Sequence, residues 1–239
     1  MKMEPEYVLI SERMIEEILA RIRSSGVGVQ GAQVRAPFVS VNLGKKQVPA
    51  GLPSLAEQVT EVVADHTGTP EHPGQYIGVR ANFLGWLWTS QRRTPVAWLV
   101  AQDEESLILL CGSGRNVVGY DAPDQQKGWR PSHPMGLAEF VALLRWKDPK
   151  RLLGFEANTS EEMEMADAAV YITSGLTEHS PPEIDRELDA LFKPYVYVRH
   201  FAGRHAPLAS PAHGYYERVI VGAPLWAREP TDGPPPGVK

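Results

Sequence analysis

Between Gly74 and Tyr120, short apolar runs rich in β-branched and aromatic residues alternate with turn formers, and this pattern predicts a β-meander. GQYIGVRANFLGWLWT reads as one long or bent strand, TPVAWLVAQ as a second, SLILLC as a third and NVVGY as a short fourth; Gly112 to Arg115 join the last two. Upstream, Tyr7 to Ile10 is a short apolar strand. Ser11 then caps a helix whose Met14, Ile15, Ile18, Leu19 and Ile22 share one face before Gly26 ends it. A link from Gly26 to Gln33 leads to a strand around Val34 to Asn42. Ser54-Leu55-Ala56-Glu57 fits a capping box opening a helix, with Leu55, Val59, Val62 and Val63 as its apolar stripe. His66 to Gly74, with Gly68, Pro70 and Pro73, reads as a loop into the meander.

Downstream, Asp121 to Pro134 is a polar loop carrying Lys127, Trp129, Arg130 and His133, followed by a helix through Leu137, Phe140, Val141 and Leu144 and a charged turn from Arg145 to Arg151. Asn158 to Tyr171 reads as a helix capped by Thr159 or Ser160. Ser180-Pro181-Pro182-Glu183 opens a further helix with Ile184, Leu188, Leu191 and Phe192 as its buried stripe. Tyr195 to Phe201 and Tyr216 to Ala227 are the closing strands. The expected fold class is α+β: a mainly antiparallel sheet with a central β-meander (about 74–120), covered by four or five helices, in a single domain over 1–228. The prolines at 230, 234, 235 and 236 predict a disordered tail over 229–239.

Hydrophobic content of 43% with 22% charged residues fits a globular chain, and 21 Gly with 21 Pro fits many short elements joined by turns. A net charge of −5 argues against generic binding to a nucleic-acid backbone, which needs many Lys and Arg side chains to release counterions. Cys111 is the single cysteine, which excludes an intramolecular disulfide and a cysteine-rich zinc site; its apolar setting predicts a buried thiol. No apolar run has the length of a secretory signal or a membrane span, so a soluble, cytoplasmic protein without a membrane partner is expected.

Gly112, Ser113, Gly114, Arg115 and Asn116 have the composition of an anion-binding turn, in which glycines let backbone amides converge on a phosphate and an arginine grips it with two hydrogen bonds. The motif lacks the lysine of a Walker loop and the helix that follows a dinucleotide fingerprint, so a tight hairpin turn is the plainer reading. A second cluster runs from Arg199 to Arg218 and holds His200, Arg204, His205 and His213. His200 and His205 miss the i, i+4 spacing of a helical zinc pair and have no glutamate between them, which argues against a metal. These side chains suit either a phosphate or carboxylate ligand or a solvated basic loop.

Trp86 and Trp88 share one strand face, with Trp98 in reach on the next strand. They suit core packing or, with Gln91, Arg92 and Arg93 as a charged rim, a stacking surface for a purine or peptide. Glu161, Glu162, Glu164 and Asp167 suit a solvated helix start, and Ser113 sits in G-S-G rather than in the elbow of a serine nucleophile.

The segments YVLIS, GQYIGV, PVAWLV, LLCGSGRNVVGYDAP and RVIVGAPLWARE together resemble an uncharacterised family of actinobacterial hypothetical proteins. The resemblance covers most of the chain, implies one shared architecture and implies no catalytic residue. The functional expectation is a bacterial binding or sensor module. It would recognise a small anionic ligand such as a nucleotide, or a protein partner, through Gly112 to Asn116, Arg199, Arg204 and exposed Trp86 and Trp88. The alternative is an enzyme acting on a phosphorylated or nucleotide substrate, with His200 or His205 as general acid or base and Arg115 or Arg199 stabilising developing charge. No cofactor is expected in either reading.

Overall fold

The meander is present as three strands. The computed structural model describes residues 6–24, 51–89, 95–120, 161–202 and 215–236, and in it the meander comprises β3 (Tyr76–Thr89), β4 (Pro95–Gln102) and β5 (Ser106–Ser113). Ahead of it lie β1 (Tyr7–Ile10), α1 (Glu12–Ser24), α2 (Leu52–Val63) and the short β2 (Thr67–Gly68). After it come α3 (Glu161–His179), β6 (Ile184–Ala202) and β7 (Tyr215–Arg228). All of these strands belong to one seven-stranded sheet, antiparallel except where β2 meets β3 and β5 meets β7.

The sheet closes on itself. β3 pairs with β4, β4 with β5, β5 with β7 and β7 with β6, and β6 returns to β3 through the run from Ile77↔Phe192 to Gly85↔Ile184. Closure removes open strand edges along the paired stretches. Length makes it possible: β3 has 14 residues and β6 has 19, so each offers one stretch to each of two neighbours.

Alternation assigns the two faces of every strand. Ile77, Val79 and Phe83 from β3, Leu99 from β4, Leu110 from β5, Leu188 and Phe192 from β6 and Ile220 from β7 form a buried cluster to which every strand of the ring contributes and no helix does. That cluster is the barrel interior, and Ala97, Ala101 and Ala190 leave room in it for the two phenylalanines. The opposite faces of β4, β5 and part of β7, including Trp98, Leu109 and Val221, pack beneath Ala166, Ala169 and Val170 of α3. Ile10, Leu191, Leu225 and Trp226 pack beneath α1 and α2. β4 and β5 are buried on both faces, which is why they are continuous apolar runs.

The largest departure from the sequence pattern falls on Ser180 to Phe192, where a helix is expected. The segment from Ile184 is instead the first half of β6. Glu183 N already donates to the Gly85 carbonyl at 2.8 Å, and pairing with β3 follows at once, so nonlocal pairing overrides a local capping signal. The helical spacing arises because apolar residues fall on both faces: Leu188 and Phe192 point into the barrel, while Leu191 points outward to α1 and α2 and Asp185 and Glu187 on that outer face stay exposed.

Three further corrections are local. Val117 and Val118 do not form a fourth meander strand; they follow a 3-10 turn over Gly114–Asn116, and an isolated bridge ties Val117 to Leu9. α2 starts at Leu52 behind Gly51, which adopts φ 109, with Pro53 in the first turn, so Ser54 and Glu57 lie inside the helix rather than capping it. Thr67 and Gly68, expected in a loop, pair with β3 as β2. The described residues hold three α-helices rather than four or five. The helix expected through 137–144 lies outside them, as do the strand at 34–42, the loop at 121–134, the turn at 145–151 and Gln91 to Arg93. No helix among the described residues is long and apolar enough to cross a membrane.

The proline-rich stretch expected to be disordered over 229–239 is described as far as Pro236. It lies against β3, where Arg80 Nη2 donates to the carbonyls of Thr231 (2.9 Å) and Gly233 (3.0 Å). Cys111 is buried beneath α3, and burial pushes its thiol up to about 12. A thiol reagent at mildly alkaline pH is expected to leave native protein unmodified while the urea-unfolded chain reacts fully. Equal rates in the two states would place the thiol at the surface.

Candidate functional site

One end of the barrel terminates in charged side chains. Arg199 of β6 and Arg218 of β7 are direct register partners, and Arg218 is also the register partner of Ser106 at the start of β5. Like charges placed opposite each other across a strand pair repel, so the arrangement needs anions nearby. Two carboxylates supply them: Arg218 Nη2 lies 2.9 Å from Glu105 Oε2, and Nη1 lies 3.7 Å from Glu71 Oε1. Arg218 Nε donates to Ser106 Oγ at 3.0 Å.

Arg199 Nη2 donates to the Glu71 carbonyl at 3.1 Å, and its guanidinium carbon stands 5.6 Å from the centre of the Tyr197 ring. Tyr197 in turn donates through its hydroxyl to the Pro70 carbonyl at 2.8 Å. The loop between β2 and β3 therefore lies across this barrel mouth, with Pro70 buried and Glu71 at its rim. Partial burial pushes the Glu71 carboxyl up. Hydrogen bonds from the Thr69 side chain and from its own backbone, with the charges of Arg218 and His72, outweigh that and hold it below the ordinary carboxylate range. Glu71 is 51% exposed and Glu105 70%, whereas Arg218 is 15% exposed. The cation is fixed by the barrel, and the anions sit where solvent reaches them.

His200 adopts φ 51, in the left-handed region, and its Nδ1 lies 2.9 Å from Glu217 Oε2 at an exposed position. This irregularity interrupts the alternation of β6: Arg199 stays with Tyr197 at the mouth, and Phe201 is buried beneath α3. Arg204, His205 and His213 lie outside the described residues.

The other sequence-derived anion site is at the far end of β5. Gly112 and Ser113 finish that strand, and Gly114, Arg115 and Asn116 make the 3-10 turn. Within it Arg115 N donates to Ser113 Oγ (3.3 Å), and the residues that follow are tied to the protein, Val117 N donating to the Gly114 carbonyl (3.1 Å) and Val118 N to the Val8 carbonyl (2.9 Å). Gly114 presses on β3 and β4, and a Cβ there would come within 2.6 Å of Leu87 Cδ1 and 2.7 Å of Pro95 Cβ. The turn is a packed corner with Arg115 exposed on it. Ser106 and Ser113 bound β5, so at ~3.3 Å per residue the two clusters stand about 23 Å apart and do not form one site.

Trp86 and Trp98 are register partners buried in the cluster beneath α3, and Trp86 Nε1 donates to the Ser180 carbonyl at 3.0 Å. Trp88 continues β3 opposite Val96. Asp167 of the acidic segment is buried and Glu162 is exposed. Among the described residues, no three or more His, Cys, Asp or Glu side chains are grouped so as to hold a metal ion. Sequence reasoning does not single out Glu71, Glu105, Ser106 or Tyr197. Tyr197 carries a usable signal, since two residues from Arg199 on a strand means the same face, but Glu71 carries none.

A family model matches residues 6–229, from the start of β1 to just past the end of β7. The chain belongs to DUF7019, a family of unknown function. The DUF7019 match contains the whole ring and both of its ends, in keeping with a resemblance carried by structural segments. It brings no activity with it. Neither a curated protein nor a solved structure matches the chain.

Proposed function

We propose that this DUF7019 protein is a binding or sensor module of the bacterial cytoplasm whose ligand is a small anion, a nucleotide or another phosphorylated molecule, received at the barrel mouth by Arg199 and Arg218. The observation that carries the reading is the direct opposition of two arginines at the end of a closed barrel, with Arg218 paired to exposed carboxylates on adjoining loops. A phosphate satisfies paired guanidiniums better than two separate carboxylates do, because it presents several acceptor oxygens at one point. Barrel mouths are also common ligand sites. Glu71 and Glu105 then act as resident substitutes whose side chains swing out when ligand enters.

A thermal-shift panel of nucleotides, pyrophosphate and phosphorylated sugars tests this. At least one member is expected to raise the melting temperature and to be recovered chemically unchanged. Arg218→Ala is expected to weaken that ligand at least about tenfold, the loss of one hydrogen bond to a charged group. Glu71→Gln is expected to strengthen it by about 1.5- to 5-fold, because an exposed competing ion pair is worth under about 1 kcal/mol. A panel without any shift would overturn the small-anion reading. The enzyme alternative draws on the pairing of His200 with Glu217; it requires turnover of the bound ligand that falls about a hundredfold in His200→Ala.

A further inference from the structure

We propose that the outer face of β3 and β6 at Gly78, Arg80 and Asp189 is a receptor site for a proline- and glycine-rich peptide of a partner protein, held in the resting state by this chain's own residues 231–236. The site is built from the inside outward. Asp189 is fully buried, and Arg80, its register partner across β3 and β6, meets it with both arms: Nε to Oδ1 at 2.7 Å and Nη2 to Oδ2 at 3.0 Å. A guanidinium clamped in this way presents its remaining donor capacity in one fixed direction. Nη2 gives one hydrogen to Asp189 and shares its other between two main-chain carbonyls, those of Thr231 and Gly233.

Recognition of carbonyls reads backbone shape rather than side-chain identity. A proline- and glycine-rich chain bent at Asp232 and Gly233 suits it, because the bend brings two carbonyls to one nitrogen and the prolines keep the ordering cost low. Gly78 supplies the shape. The three atoms nearest to a Cβ built there all belong to Pro236, its main-chain carbonyl first and its Cβ at 2.8 Å after it, so the missing side chain leaves room for the backbone of the tail to lie against β3. Elsewhere the outer faces of the ring lie beneath α1, α2 and α3; at Asn82, Asp185 and Glu187 the outer rim beside the seat is exposed.

The tail is anchored apart from the seat. Glu229 N donates to the Glu6 carbonyl at 2.9 Å, and the Glu229 carboxylate meets Arg186 Nη1 at 2.6 Å. Residues 231–236 can therefore leave the seat without unpairing β7, and a peptide of the same character can take their place. Competition from a short tether acts at an effective concentration of order mM, which sets how strongly the resting state is closed.

The test uses a chain ending at Pro230, its fold checked by circular dichroism and melting, and a labelled synthetic peptide of sequence EPTDGPPPGVK, residues 229–239. The shortened chain is expected to bind the peptide saturably. Full-length protein is expected to bind it at least about tenfold more weakly because the tail competes. Gly78→Val in the shortened chain fills the space that the backbone at Pro236 occupies and abolishes binding, while a β-branched residue suits the strand itself. Arg80→Lys, which keeps the charge and loses the fork, weakens binding about tenfold or more. A peptide with Thr231 and Asp232 changed to alanine is expected to bind like the original. Absence of saturable binding to the folded shortened chain at up to about 1 mM peptide, or binding that survives Gly78→Val, overturns the proposal.

Discussion

Replacing Asp189 with alanine is expected to lower the free energy of unfolding by about 3 kcal/mol. Its side chain is 1% exposed, and both carboxylate oxygens accept from Arg80, whose side chain is 24% exposed. Deleting the carboxylate leaves a half-covered guanidinium between β3 and β6 without its anion; a fully buried cation would cost more, up to about 5 kcal/mol. The site matters to the ring as well, because Asp189 stands opposite Arg80 in β3 and opposite Arg228 in β7. Urea titration measures the effect. The paired replacement Arg80→Met with Asp189→Leu is expected to restore most of the loss, since a matched apolar pair removes the desolvation cost of both charges. A loss under about 1 kcal/mol for Asp189→Ala would mean that the pair is solvated and that the tail does not rest on a fixed guanidinium.

Trp226→Ala is expected to cost about 4 kcal/mol, at the level typical of a large aromatic removed from a core. Trp226 is fully buried between β7 and α2. Its indole nitrogen donates to Thr60 Oγ1 at 3.0 Å, its ring meets Tyr7 edge-on at 6.1 Å between centroids, and the Arg228 guanidinium carbon stands 4.6 Å from the ring centre. Arg228 also pairs with Glu57, which accepts from the Tyr7 hydroxyl as well. One side chain thus joins β1, α2 and β7. Thr60→Val removes that hydrogen bond together with the one Thr60 Oγ1 donates to the Ala56 carbonyl at 2.8 Å, leaves the packing in place, and is expected to cost about 1 to 2 kcal/mol. Equal losses for the two variants in urea titrations would show that the indole contributes its hydrogen bond and little packing.

The strand and helix at the N-terminus and the three meander strands were legible because each is a local pattern whose period matches its burial. The fate of Ile184 to Phe192 was not, because a strand with Leu188 and Phe192 facing inward and Leu191 facing outward places apolar residues at intervals that also suit a helix, and a real proline-and-serine start signal stood in front of it. Glu57 shows the same limit from another side. Its spacing from Ser54 fits a capping box, yet it reaches across to Arg228 and Tyr7, a partnership set by the docking of α2.

The candidate site divides in the same way. Arg199 and Arg218 stand out as cations in a basic segment, but their direct opposition follows from the register of β6 on β7. Glu71 reaches them only because β2 joins the ring beside β3 and throws its loop across the mouth. The seat of residues 231–236 depends on Gly78 and Arg80, far away in sequence, so proline content alone points to disorder.

An anion is expected to enter at the Arg199 and Arg218 mouth and not at the Gly112 to Asn116 turn. Arginine Nε–Hε signals in nitrogen-15-labelled protein, assigned by single substitutions and followed while pyrophosphate is titrated, test it most directly. The Arg199 and Arg218 signals are expected to move together and saturate while the Arg115 signal stays in place. Movement of Arg115 alone, or no saturable movement of any of the three, would contradict it.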